Sequence, residues 1–203
     1  MKKVFLLLLC SIFFSFSARA DNADLRKIED YLNNLKTLKA DFVQMASNGV
    51  SAEGSVYIAK PSKIRMEYTA PDSLLIVGNG DYIIYNDLEL DQITNIDYDD
   101  IPATVILSNK IKFDGSNLKV TDFYKDNGQT SVTVEMPKNP AVKPITLIFD
   151  NNPFKLKQWK VIDQQNIEVT VSLFNEENDI DLSDSLFKFD RKPSTSGSKS
   201  KRK

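Results

Sequence analysis

The sequence predicts a mainly β fold of the α+β class: one large antiparallel sheet that curls upon itself, with one or two helices to cover it. Three observations predict it. One N-terminal stretch has apolar residues at steps of three and four, a long succession of period-two segments follows it, and turn signals cut those segments at short, regular intervals.

The elements follow in chain order. Residues 22–38, NADLRKIEDYLNNLKTL, place Leu25, Ile28, Leu32, Leu35 and Leu38 on one face, which predicts an amphipathic helix whose N-terminal end suits Asp21 and Asp24. The period then changes to two. Val56 and Ile58 alternate before Lys60-Pro61; beyond it Ile64, Met66 and Tyr68 take one face while Lys63, Arg65 and Glu67 take the other. SLLIVGNG and DYIIYN are apolar on both faces near their centres, as strands covered on both sides would be. Leu118 and Val120, then Val132, Val134 and Met136, then Ile145, Leu147 and Phe149 continue the alternation. Trp159 and Val161 share a face, and Ile167, Val169, Val171 and Leu173 close the series.

Lys60-Pro61, Ala70-Pro71, Asn79-Gly80, Asn127-Gly128 and Asn151-Asn152-Pro153 mark turns, for a total of ten or eleven strands. IPATVILSN, 101–109, breaks the pattern, and Pro102 can open a short helix there. A curved sheet of this size encloses more volume than its own side chains fill. The pattern therefore leaves two readings open: helix 22–38 plugs the concave face, or that face is a groove kept open for an apolar ligand.

Both ends of the chain stand apart. Lys2 and Lys3, the apolar run Val4–Phe16 and the small-x-small site Ala18-Arg19-Ala20 have the form of a secretory signal peptide over 1–20, cut after Ala20. The run is short for a membrane span, and it holds the only cysteine, Cys10, preceded by Leu9 rather than the small residue that a lipid-anchoring site requires. The expected mature chain thus has no disulfide and depends on its core alone. The expected domain covers 21–190, with 17 basic against 28 acidic residues. That acidic body argues against nucleic acid as a partner. The tail 191–203, RKPSTSGSKSKRK, holds six basic residues and no acidic or apolar one, and is expected to be disordered; it is a solubilising end or an electrostatic touch on anionic lipid.

Several kinds of chemistry lack their residues. The chain has no histidine, hence neither the commonest general base nor the usual triads, and no Gly-x-Ser-x-Gly, phosphate loop or zinc spacing. The acidic runs DYDD, 97–100, and NDIDLSD, 178–184, are better solvated loops than metal sites, since an EF-hand loop needs glycine where Asp184 stands. No catalytic residue, metal or cofactor is expected. A hydrolase acting on lipid or polysaccharide is the rival of another class, and a β-rich adhesin with a filled core is a third.

The ordered string LKTLKADFVQ, Gly54 opening GSVYIAKPSKIRMEY, Pro71-Asp72, NGDYIIYN, Gln92 in LDQIT, and IPATVILSN resembles the LolA family of lipoprotein carriers over nearly the whole mature chain. The resemblance implies a half-open antiparallel β-barrel of about eleven strands with a helical lid over an apolar cavity for acyl chains. The lid would be 22–38 with 101–109, and the first helix would run into LKTLKADFVQ. Val56, Ile58, Ile64, Met66, Tyr68, Ile106 and Trp159 would line the cavity. The arginine that latches the lid in the family corresponds to Lys60, with Asn109 near the lid's end; lysine lacks the planar fork of donors, so the latch is expected to be looser or differently built. The implied function is a monomeric periplasmic carrier that takes acylated lipoproteins from an inner-membrane ABC transporter to an outer-membrane receptor. The alternative within the fold is the receptor itself, or a chain combining both jobs.

Overall fold

The computed structural model describes residues 22–190, so the expected signal peptide and basic tail lie outside the described residues. One helix, α1 (Asn22–Asn34), precedes eleven strands: β1 (Thr37–Ala46), β2 (Ser51–Ala59), β3 (Lys63–Tyr68), β4 (Leu74–Asn79), β5 (Ile83–Asp87), β6 (Gln92–Ile96), β7 (Lys119–Lys125), β8 (Gln129–Glu135), β9 (Ile145–Asn151), β10 (Phe154–Ile162) and β11 (Glu168–Asn178). They form one antiparallel sheet in the order β6-β5-β4-β3-β2-β1-β11-β10-β9-β8-β7. Each half is a meander of neighbouring hairpins, and the only long-range join is β1 with β11, from Leu38↔Asn178 to Ala46↔Val169. The sheet curls into a half-open barrel, because β6 and β7 stand at opposite edges and do not pair.

The helix is shorter than its apolar spacing predicts, and LKTLKADFVQ is mostly strand. Leu35 and Lys36 form the connection, and Leu38 belongs to β1, where Leu38, Ala40 and Phe42 are buried in alternation. Steps of three and four continue through Leu35 to Leu38 only by coincidence with the first inward position of a strand. A central strand hydrogen-bonded on both sides outweighs one further helical turn. The segment after β6 does turn helical, as two short 3-10 turns at Tyr98–Asp100 and Pro102–Leu107.

The concave face holds the main core. Ile28 and Leu32 of α1 are fully buried and belong to one core cluster with Phe42, Leu147 and Phe149. Tyr31 meets Phe149 and Phe154 edge-on at 5.7 and 5.8 Å between ring centres, and Lys27 sits 4.1 Å above the Phe154 ring. A second, smaller core lies on the convex side. There the 3-10 turn Asp184–Phe187 brings buried Phe187 over the sheet, whose outward Val77 and Ile84 are buried too. Lys63 pairs with Asp184 at 2.7 Å and Arg65 donates to the Leu186 carbonyl at 3.0 Å, holding the C-terminal segment along β3. The run 178–184 thus serves structure: Ser183 caps this turn, and Asp179 accepts from the Lys36 N–H at 3.3 Å.

Gly54 marks the tightest strand crossing. It pairs with Phe42 on one side and Tyr68 on the other, and a Cβ there would lie 2.0 Å from the backbone oxygen of Glu67. Gly54→Ala should therefore force β2 and β3 apart and cost roughly 3 kcal/mol in urea denaturation. An unchanged midpoint would mean that the strands separate there freely.

Candidate functional site

The curl brings β3–β6 to face β10 and β11, and between them lies an apolar cavity of about 190 Å³. One wall is Ile64, Met66 and Tyr68 of β3 with Ile76, Ile83, Tyr85 and Ile96 from the next three strands. The facing wall is Trp159 and Val161 of β10 with Val169 and Val171 of β11. Alternation puts each on the concave side, so the same period-two pattern that builds the sheet builds the site.

The lid segment closes it. Ile101, Ala103, Thr104 and Leu107 border the cavity, while Val105 and Ile106 are buried in the adjoining core. The Thr104 and Tyr68 hydroxyls near the site are bonded internally. The Thr104 hydroxyl shares its one proton between the carbonyls of Tyr98 and Ile101, 2.9 and 2.7 Å away, and the Tyr68 hydroxyl donates to Gln44 Oε1 at 2.8 Å. Burial pushes the Tyr68 hydroxyl pKa upward, so it stays protonated and neutral. The cavity therefore offers aliphatic and aromatic surface without charge, suited to an apolar ligand.

Hydrogen bonds fasten the lid at both ends. The Tyr98 hydroxyl donates to the Ser62 carbonyl and accepts from the Gly80 N–H at 3.2 Å; a Cβ on Gly78 would come within 2.3 Å of that hydroxyl, so the glycine makes room for the ring. The Ser62 N–H donates to the Leu107 carbonyl at 3.0 Å. Beyond the 3-10 turn, Asn33 of α1 both donates to the Ile111 carbonyl at 2.9 Å and accepts from its N–H at 2.8 Å, and Glu29 accepts from the Phe113 N–H at 2.5 Å. The helix itself is tied to the barrel by Lys60, whose Nζ donates to the Leu32 carbonyl at 2.6 Å. Burial pushes the Lys60 ammonium down to about 8, and Lys36 nearby adds repulsion of like charge.

Of the residues singled out from sequence, Ile64, Met66, Tyr68 and Trp159 come together around the cavity. Val56, Ile58 and Ile106 share the concave side but are buried in the solid core and do not border the cavity. Lys60 reaches α1, and Asn109 is exposed with no side-chain hydrogen bond among the described residues. Sequence reading passed over Glu29 and Asn33, although their spacing of four puts both on one flank of the helix. It also passed over Tyr98, which lies inside the acidic run DYDD.

The comparisons agree with this architecture. The family model described as outer membrane lipoprotein carrier protein LolA matches residues 33–190. The chain is similar to an uncharacterized protein of Rickettsia prowazekii, 28% identical over 93% of this chain and 88% of that one. It is also similar to an outer-membrane lipoprotein carrier protein of Azotobacter vinelandii, 27% identical over 80% of this chain and 79% of that one. An uncharacterized conserved protein from Thermus thermophilus shares the fold, with a TM-score of 0.50, 10% identity and coverage of 84% and 96%. A half-open eleven-stranded barrel, an apolar cavity under a hydrogen-bonded lid and a family match over nearly all of the described residues lead to one conclusion: the chain belongs to the LolA family of outer membrane lipoprotein carrier proteins.

Proposed function

We propose that this chain is a periplasmic, monomeric, non-enzymatic carrier that shelters the acyl chains of lipoproteins. It would receive them from an inner-membrane ABC transporter and yield them to a receptor at the outer membrane. The observation that carries this reading is the uncharged cavity whose covering segment is fastened chiefly by bonds between backbone groups and the side chains of Tyr98, Asn33 and Glu29.

The energetics fit. An acyl chain of about sixteen carbons exposed to water costs about 12 kcal/mol, at about 0.8 kcal/mol per methylene. A carrier must hide that surface and still release it without hydrolysing ATP. The cavity of about 190 Å³ is smaller than the roughly 300–1,000 Å³ of ordinary ligand pockets, so a whole acyl chain fits only if the lid lifts. Each fastening bond contributes roughly 0.5–1.5 kcal/mol, so undoing them all costs roughly 3–9 kcal/mol, less than the acyl chain gains. The lid's Leu107 would then be replaced by acyl methylenes over the same wall. Because closure competes with cargo, the fraction of carrier held shut weakens apparent affinity and leaves room for transfer onward. Met66 suits a ligand of shifting shape.

Lys60 and Asn109 were placed at the latch by the family resemblance. In this reading Lys60 acts on α1, holding the helix that holds the lid, and Asn33 carries the lid's own bonds while Asn109 stays free.

The test is release from spheroplasts. With purified chain from residue 21 added, lipoproteins should appear in the soluble fraction in complex with it; none should appear if the cavity is merely part of a packed core. Ile64→Glu puts a carboxylate on the cavity wall and should reduce that release at least about tenfold with far-UV circular dichroism unchanged. Release by that variant at the original level would remove residue 64 from the site.

A pH series tests the Lys60 contact. Its folded pKa of about 8 lies below the ordinary 10.5, so the protonated lysine is penalised in the folded state at neutral pH. The penalty fades as pH rises from about 8 toward 10.5. The urea midpoint of the native chain should thus climb relative to Lys60→Met over that window, and a constant difference would mean that Lys60 is solvated.

A further inference from the structure

Four polar side chains border the cavity: Gln44, Tyr68, Tyr85 and Thr104. Two of them have no donor left to offer. The Thr104 proton is shared between backbone carbonyls, and the Tyr68 proton goes to Gln44 Oε1. Gln44 differs, because its carboxamide has two ends. The oxygen accepts from Tyr68, while the Nε2 group donates to nothing among the described residues. The Tyr85 hydroxyl has no partner there either, but Tyr85 is 37% exposed and water can serve it.

The position of Gln44 in the sheet holds its amide still. Strand β1 is paired on both sides, with Gln44 opposite Ala52 of β2 and Val171 of β11. Alternation puts it on the concave face two residues beyond buried Phe42, whose ring meets Tyr68 edge-on at 5.0 Å between ring centres. Phe42 steadies the tyrosine, and the tyrosine engages one end of the amide. The donor at the other end is preorganised, so a ligand that uses it loses little in ordering it. An apolar residue would line the same wall without leaving a donor unpaired.

Gln44 also stands where the head of an acyl chain would lie. Exposure rises along four lining strands, from Phe42 to Gln44, Met66 to Tyr68, Trp159 to Val161 and Val171 to Val169. The register brings those four rises to one end of the barrel, so the cavity opens past Gln44. A chain that enters tail first leaves its carbonyl at that mouth. No charged side chain lines the cavity, so nothing there balances the carboxylate of a free fatty acid. An ester or amide carbonyl is an acceptor without charge.

We infer that Gln44 Nε2 donates a hydrogen bond to the ester or amide carbonyl at the head of a cargo acyl chain, with Tyr68 as its positioning residue. The inference rests on the carrier reading and deepens it: one neutral donor tells an acyl group from plain hydrocarbon.

The test compares two short-chain lipopeptides built on a glycerol-linked cysteine, one with ester-linked chains and one with ether-linked chains of equal length. The ether keeps the hydrocarbon and loses the carbonyls. Each is titrated against the chain from residue 21 loaded with an apolar fluorescent dye. The native chain should bind the ester roughly three- to tenfold more tightly. Gln44→Met should bring that ratio to about one. If Gln44 only orients Tyr68, the variant would weaken both lipids alike and keep the ratio, which would overturn the inference. Equal binding of both by the native chain would overturn it too, and that comparison needs no variant to fold. A ratio kept by Gln44→Met and lost by Tyr85→Phe would move the donor to Tyr85 and overturn it likewise. The same ester and ether pair made as phosphatidylglycerol identifies the source, since a preference confined to that lipid would overturn the assignment to lipoprotein. If neither lipopeptide displaces the dye, the carrier reading falls and this inference with it; equal displacement refutes the inference alone.

Discussion

An eleven-stranded sheet that curls without closing leaves its concave face half covered, and nearly every other feature of this molecule answers that constraint. Because β6 and β7 do not meet, no ladder of hydrogen bonds completes the barrel, and the apolar side chains that alternation sends inward need something else to lie against. Two elements supply it. Helix α1 fills part of the interior, where Ile28 and Leu32 are sealed from solvent in the main core and Tyr31 meets Phe149. The strap that follows β6 covers the rest, and covers it incompletely.

The two coverings differ in kind. The helix is held by interdigitating side chains, edge-on aromatic contacts and an ion pair between Asp24 and Lys125 at 2.5 Å. The strap crosses the cavity on small and aliphatic residues and is fastened to its surroundings by backbone groups: Leu107 to Ser62, Ile111 to Asn33, Phe113 to Glu29. Removing a well-packed helix exposes a core, whereas lifting the strap exposes a surface that an acyl chain can cover equally well. A dense half gives the fold its stability, and a sparse half gives the proposed carrier its working volume. Since no charged side chain lines the cavity, the walls impose no ionic address on a ligand, which suits the proposed carrier, whose cargoes would share one kind of acyl anchor.

The sheet and much of the site were legible in the residues. Period two is fixed by backbone geometry, so Ile64, Met66 and Tyr68 had to share a face wherever β3 lay, and Val169 and Val171 likewise on β11. The order of Gly54, the prolines and IPATVILSN carried the family. Illegible were the facts that depend on what faces what across the curl. Val56 and Ile58 alternate as cleanly as Ile64 and Met66 yet lie under the packed half, so no spacing could separate core from cavity wall. The end of α1 was hidden because a strand's first inward leucine coincided with a helical step. Asn33 has no sequence signal of its own, because its partner Ile111 lies 78 residues further along the chain.

The sequence by itself determined the strand faces, the turns, the absence of the usual catalytic groups and the family, because each is set by local backbone geometry or by the residue types present. Only the tertiary structure decided which apolar residues border empty space and which bonds hold the lid. Those depend on the direction and extent of the sheet's curl, a property summed over eleven strands and written in none of them singly.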